Sequence, residues 1–283
     1  DKFTTSPIKE YSLLLPTVFK VHQLITNHNG IVFSLDQFKD NSKYLLSSAY
    51  DSRINIYQLN TEFKYEFIQT IQKIPEKRGG QINKVIALSN NSLVSADRRS
   101  ITIWKQVNIN ENNKINFEEY HEIVVKEDTC HLLEVNPSIF VATQYSRFQV
   151  YKNDDKTFPL IGKLDIESHG DSSNGLAKIN VNIVCLASKE FLFVVNIIPL
   201  EVIQIISMNV YKQINYVFTT KDNYLYCKGD GSINQYRIIK DENNNNIEVF
   251  EICKYPYNDK TCIYEEKAIA PFDDGRIFFV ENR

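Results

Sequence analysis

Glycine is scarce in this chain, with nine in 283 residues, against a usual share of about 7%. No Walker-type or dinucleotide glycine pattern is present, so a glycine loop cradling phosphates is excluded. Long apolar runs are missing too. None approaches the roughly 18 residues a membrane-spanning helix needs. The first residues, DKFTTSPIKEYSLLLP, lack the basic-then-apolar layout of a signal peptide. The five cysteines (130, 185, 227, 253 and 262) are odd in number and form no C-x-x-C pair. That pattern suits neither zinc nor a disulfide framework, and predicts free, buried or half-buried thiols in a reducing compartment. The five histidines (22, 28, 121, 131 and 169) never fall at metal-ligand spacing with Cys or carboxylates. No metal and no cofactor is expected. Thirty-two basic against thirty-five acidic residues leave a net charge of -3. There is no basic excess to hold nucleic acid. Starting at Asp1 with Met208 as its single methionine, the chain reads either as a domain cut from a longer protein or as one numbered without its start.

What is present is a repeat. Alternating apolar and polar residues end in a large side chain six times: at Tyr57, Trp104, Tyr151, Val194, Tyr236 and Val280. These closing positions lie 42 to 47 residues apart. A period of about 40–50 residues marks a solenoid, array or propeller, and a period of two inside each unit marks strands. The first unit predicts strands over 31–36, 43–48, 53–58 and 65–72, and the second over 82–88, 92–96, 100–105 and 117–125. Turns rely on Asn, Asp and Ser, which tolerate the conformations glycine otherwise supplies. Residues 1–16 read as an N-terminal extension and 17–283 as one all-β domain.

The first unit carries His28 before its first strand, Ser47 and Ser48 in the second, Asp51 three residues before Ile54, and Tyr57 closing the third. The second closes on Trp104 but has Asp97 one position early. The fifth keeps Asp230-Gly231-Ser232-Ile233, and Asp274-Gly275-Arg276-Ile277 repeats that spacing. On these residues the chain resembles the WD40-repeat family. The resemblance implies a WD40-like β-propeller of six or seven four-stranded blades, with a strand over 18–25 closing the ring. It also implies that His28, Ser47, Asp51, Tyr57, Trp104 and Asp230 hold blades together by hydrogen bonds. Their erosion in later units predicts blades fixed by apolar packing instead.

No reaction centre stands out, and no catalytic residue is expected. Gly170-Asp171-Ser172-Ser173-Asn174-Gly175 is similar to the Gly-Asp-Ser block of an esterase family. No Asp-x-x-His follows it, so it reads as a polar turn between blades. Function is sought on a face instead. The turns between second and third strands present Tyr50 and Arg53, Arg98 and Arg99, Tyr145 and Arg147, and Lys189. Family geometry places all of them on the top face, with Lys77 and Arg78 of an inter-blade segment nearby. Arg grips carboxylate or phosphate through paired hydrogen bonds and stacks on aromatics, and Arg and Tyr are enriched at binding hot spots. Asp51, Asp97 and Glu190 partly neutralise the set, and bracing of adjacent blades is the alternative role for any one arginine. The expectation is an intracellular, cytoplasmic scaffold or adaptor, with the nucleus as alternative site. It would bind a peptide or partner protein, acidic or phosphorylated, as a subunit of a larger complex. A phosphoinositide-binding propeller is the second reading. It is disfavoured because neither Asp97-Arg98-Arg99-Ser100 nor Lys77-Arg78-Gly79-Gly80 reproduces that group's Phe-Arg-Arg-Gly motif.

Overall fold

The computed structural model describes residues 23–39, 43–73, 80–107, 115–145, 147–154, 156–166, 173–188, 191–207, 214–220, 222–229, 232–240, 247–256, 269–271 and 277–279. Among them every regular element is a strand. Blade one is β1 (Val32–Gln37), β2 (Tyr44–Ala49), β3 (Arg53–Leu59) and β4 (Tyr65–Gln72). Blade two is β5 (Ile82–Ala87), β6 (Leu93–Asp97), β7 (Ser100–Val107) and β8 (Asn116–Val124). Blade three is β9 (Thr129–Asn136), β10 (Ile139–Gln144), β11 (Arg147–Lys152) and β12 (Leu160–Asp165). Blade four is β13 (Ser173–Lys178), β14 (Ile183–Ser188), β15 (Phe191–Asn196) and β16 (Glu201–Ser207). Blade five is β17 (Ile214–Thr219), β18 (Tyr224–Gly229), β19 (Ser232–Lys240) and β20 (Ile247–Pro256). A two-stranded sheet of β21 (Ile269–Pro271) and β22 (Ile277–Phe279) follows.

Each blade is an antiparallel meander whose strands pair in chain order. First strands pack on first strands, β1 on β5, β5 on β9, β9 on β13 and β13 on β17, and β21 lies against β1. Second strands are sandwiched between neighbouring blades, which explains their unbroken burial in β6, β10 and β14. Fourth strands sit outermost and alternate, as in β16, where every second residue is exposed. Gly175 is forced by the close approach of first strands. A Cβ there would lie 2.7 Å from Val217 Cγ1 and 3.1 Å from the Val217 nitrogen.

Strand limits in the first two blades match expectation to within one or two residues. One closing residue is displaced. In every four-stranded blade a β-bulge directly precedes the closing position, at Tyr57, Trp104, Tyr151 and Tyr236. In blade four the bulge lies between Val194 and Val195. Val195 therefore occupies the closing position, and Val194 faces the other neighbour, within the core shared with blade five. The expected turn at 170–175 is also corrected: Ser173, Asn174 and Gly175 are strand, because β13 pairs along β14 from Ser188 onward.

Closure of the ring has a local signature. Gln23 donates from Nε2 to the Tyr65 carbonyl at 2.7 Å and accepts the Tyr65 N–H at 2.8 Å. Gln204, in the outer strand of blade four, does the same to Val249 of blade five, at 2.8 and 2.9 Å. Gln23 thus stands to blade one as an outer strand of a preceding blade stands to its neighbour. Ile25 beside it covers Leu45, Tyr57 and Tyr65. Of the expected closing strand, residues 18–22 lie outside the described residues, and 23–25 form no ladder. The extension 1–16, Asp230, Lys189, Val280, Lys77, Arg78 and Asp274 also lie outside them.

Candidate functional site

In blade one the structure brings His28, Ser47, Asp51 and Tyr57 together. His28 Nδ1 lies 3.1 Å from both Asp51 oxygens, and its Nε2 lies 2.7 Å from Ser47 Oγ. A neutral ring that donates through Nδ1–H to Asp51 and accepts the Ser47 hydroxyl at Nε2 satisfies both contacts. The buried Tyr57 hydroxyl also bonds Ser47. Asp51 accepts the Asn29 N–H at 2.9 Å, and so joins the blade entry to the β2–β3 turn. Burial lowers the His28 pKa, overcoming the pull of Asp51.

A pH dependence follows. The folded value lies below the unfolded one, near 6.5, so the unfolded chain takes up the proton first. This contribution to stability is whole above about pH 6.5 and is lost as pH falls through the folded value. The melting temperature of the wild type is expected to fall more steeply between about pH 7 and pH 5 than that of His28→Gln. Parallel thermal melts check it, and equal slopes refute it.

Blade two uses a lysine that sequence reasoning missed. The Lys73 ammonium, with its side chain 8% exposed, lies 2.7 Å from Asp97 Oδ2. It also reaches Ser100 Oγ at 2.5 Å, Thr102 Oγ1 at 2.7 Å and Glu122 Oε1 at 3.2 Å. Asp97 Oδ1 accepts the N–H groups of Arg99 and Ser100, both at 2.7 Å. Asp97 is therefore a buried counter-ion and turn former, and its charge is already committed to Lys73. It sits early because this hairpin is one residue shorter: Ser95 meets Trp104 Nε1 at 2.8 Å across nine positions, where Ser47 and Tyr57 are ten apart.

Later blades lose the serine. The residue matching Ser47 and Ser95 is Ala142 in blade three, Leu186 in blade four and Cys227 in blade five, all buried. At this position packing replaces the serine hydrogen bond: Phe140 stacks on Tyr151 at 5.1 Å between ring centroids, and the Tyr151 hydroxyl bonds Gln149 at 2.8 Å instead. Cys130, Cys185 and Cys227 carry free thiols, and burial pushes Cys185 up to about 12.

The turn residues of blades two and three come together. Arg98, 56% exposed, stands 3.9 Å from Asp128, and both charges act on exposed Tyr145. Arg147 is half-buried and bridges Glu127 at 2.8 Å and Asp165 at 3.5 Å. It braces the link between these blades to β12. Arg99 is exposed beside Arg98. In blade one Tyr50 is exposed, while Arg53 stands close enough to act on His28. At the opposite end of the first strands, Glu134 pairs with Lys39 and accepts Ser89 N–H and Oγ–H at 2.8 and 2.7 Å. One carboxylate thereby ties blades one, two and three.

This geometry has parallels among solved structures. A chain of the "Crystal Structure of Mitotic Checkpoint Complex" superimposes with a TM-score of 0.67 at 10% identity, covering 90% of this chain and 73% of that one. The architecture is a WD40-like β-propeller. No family model matches the sequence, and no curated protein aligns with it significantly. In all, 1152 solved chains are similar in structure, so the likeness identifies a fold and not a task. Among the described residues no group of three His, Cys, Asp or Glu side chains is placed to hold a metal. No described helix is long and apolar enough to cross a membrane.

Proposed function

We propose that this propeller is a non-catalytic interaction platform, a scaffold or adaptor subunit of a larger intracellular assembly. It takes a peptide or loop of a partner protein, acidic or phosphorylated, on the face that carries the β2–β3, β6–β7 and β10–β11 turns. The observation that carries this reading is the joint exposure of Arg98 and Tyr145 from neighbouring blades. A guanidinium beside a phenol is a pair suited to an anionic side chain with an apolar neighbour. In the proposal the corresponding turns add Arg147, Arg99, Arg53 and Tyr50 to the binding face, and Lys189 is assigned to it by its place in the sequence.

The test uses Arg98→Glu with Tyr145→Ala, which leaves the Arg147 brace intact. Stability is expected to change by no more than about 0.5 kcal/mol, since both side chains are exposed. Affinity-capture from cell extract followed by mass spectrometry is expected to lose at least one partner that the wild type retains. An identical partner set overturns the assignment of this face. Sedimentation with phosphoinositide liposomes separates the lipid reading, for which no recruitment is expected.

A further inference from the structure

The turns of the proposed binding face adjoin the starts of the first strands, where Val32 pairs with Ala49 and Thr129 with Gln144. The far ends of the first strands gather charge instead. Lys39 follows β1 of blade one, Glu134 lies on β9 of blade three, and Lys178 ends β13 of blade four. Lys39 pairs with Glu134, two blades away. Lys178 is near enough for the charges of both Lys39 and Glu134 to act on it. Side chains of blades one, three and four meet only at the axis of the ring, so this cluster marks one mouth of the central channel. Lys84 of β5 joins it through Asp36 of β1, on which both Lys84 and Lys39 act.

Both carboxylates are engaged. Glu134 accepts the Ser89 N–H at Oε1, and the Ser89 hydroxyl and the Lys39 ammonium at Oε2. Asp36 Oδ2 accepts the Ala87 N–H at 2.8 Å. Lys84 and Lys178 form no ion pair with any described residue. Both are half-buried. Burial lowers the pKa of each, and for Lys178 the like charge of Lys39 adds to the effect. A buried cation without a counter-ion is costly, and buried charges in native proteins are paired. The cluster is still open to a small solute, since Lys84 and Lys178 keep partial exposure and the Lys39 side chain is 41% exposed. The missing partner is therefore an anion. Its cations are all lysines, compact point charges that suit phosphate, whereas the arginine fork matches a planar carboxylate.

We propose that this mouth of the channel binds a compact, multivalent oxyanion of the phosphate class, held by Lys39, Lys84 and Lys178 of blades one, two and four. Glu134 and Asp36 oppose any anion, which favours an ion touching several ammoniums at once over a singly charged one such as chloride. Once bound, the anion ties three blades together at the axis. The inference is independent of the interaction-platform reading, because the turn residues lie at the other end of the first strands.

The experiment compares thermal melts of the full chain in inorganic pyrophosphate and in sodium chloride of matched ionic strength. At about 1 mM, pyrophosphate is expected to raise the melting temperature by about 3 °C or more over the chloride control. Isothermal titration calorimetry is expected to give one site per chain. Lys178→Met and, separately, Lys84→Met are each expected to raise the Kd for pyrophosphate at least tenfold, while Arg98→Glu changes it less than twofold. Without pyrophosphate each lysine variant is expected to melt at or above the wild-type temperature, since a half-buried unpaired cation is gone. If one of the two fails to fold, the other decides. No shift beyond the chloride control, or a Kd unchanged in the lysine variants, overturns the proposal. Binding lost in Arg98→Glu and kept in Lys178→Met overturns the channel site while supporting the turn face.

Discussion

Asp97→Ala is expected to cost the fold about 3–5 kcal/mol, the range for removing one partner of a buried ion pair. The loss has two parts. The Lys73 ammonium, its side chain 8% exposed, is left with hydroxyls and the partly exposed Glu122 in place of a carboxylate at 2.7 Å. The Arg99 and Ser100 N–H groups lose their acceptor as well. A double-mutant cycle separates the two. Adding Lys73→Met to Asp97→Ala is expected to recover part of the loss, because no buried cation then lacks its partner. Urea unfolding read by Trp104 fluorescence checks both values, since Trp104 bonds Ser95 in the same blade. A loss below about 1 kcal/mol for Asp97→Ala contradicts the assignment.

Phe140→Ala is expected to cost a comparable 3–5 kcal/mol, by cavity formation and not by charge. Phe140 is fully buried at the junction of blades two and three. It stacks on Tyr151 at 5.1 Å and meets Phe158 at 6.4 Å between ring centroids. The substitution is therefore expected to lower the urea midpoint. Phe140→Leu, closer in volume, is expected to retain most of the stability. If Phe140→Ala unfolds within about 1 kcal/mol of the wild type, the core described here does not carry blade three.

Strands were legible because their cause is local. Period-two alternation reports which face is buried, and it placed β1 to β8 within one or two residues. The bulge before Val195 was not legible, because an inserted residue shifts the facing without changing composition. Lys73 was missed for a related reason. A lysine ending Thr70-Ile71-Gln72-Lys73 resembles a solvated cation until the fold shows Asp97 from the next blade against it. On the candidate face, the sequence placed Arg98, Tyr145 and Arg147 in corresponding turns. It could not tell exposed Arg98 from Arg147, which Glu127 and Asp165 hold. The channel mouth was invisible, since its charges are dispersed from Asp36 to Lys178 and only tertiary structure gathers them.

The replacement of Ser47 and Ser95 by Ala142, Leu186 and Cys227 divides the ring by the kind of change it tolerates. Hydrogen-bonded blades demand particular atoms at particular places, since a network with one member removed strands the others. At the positions of Ala142, Leu186 and Cys227 the later blades demand volume and accept exchanges among aliphatic residues. Sequence drift should then run fastest through the buried positions of blades three to five. Blades one and two would keep a recognisable signature longest, and a search for distant relatives would do best to start from residues 28–104 alone.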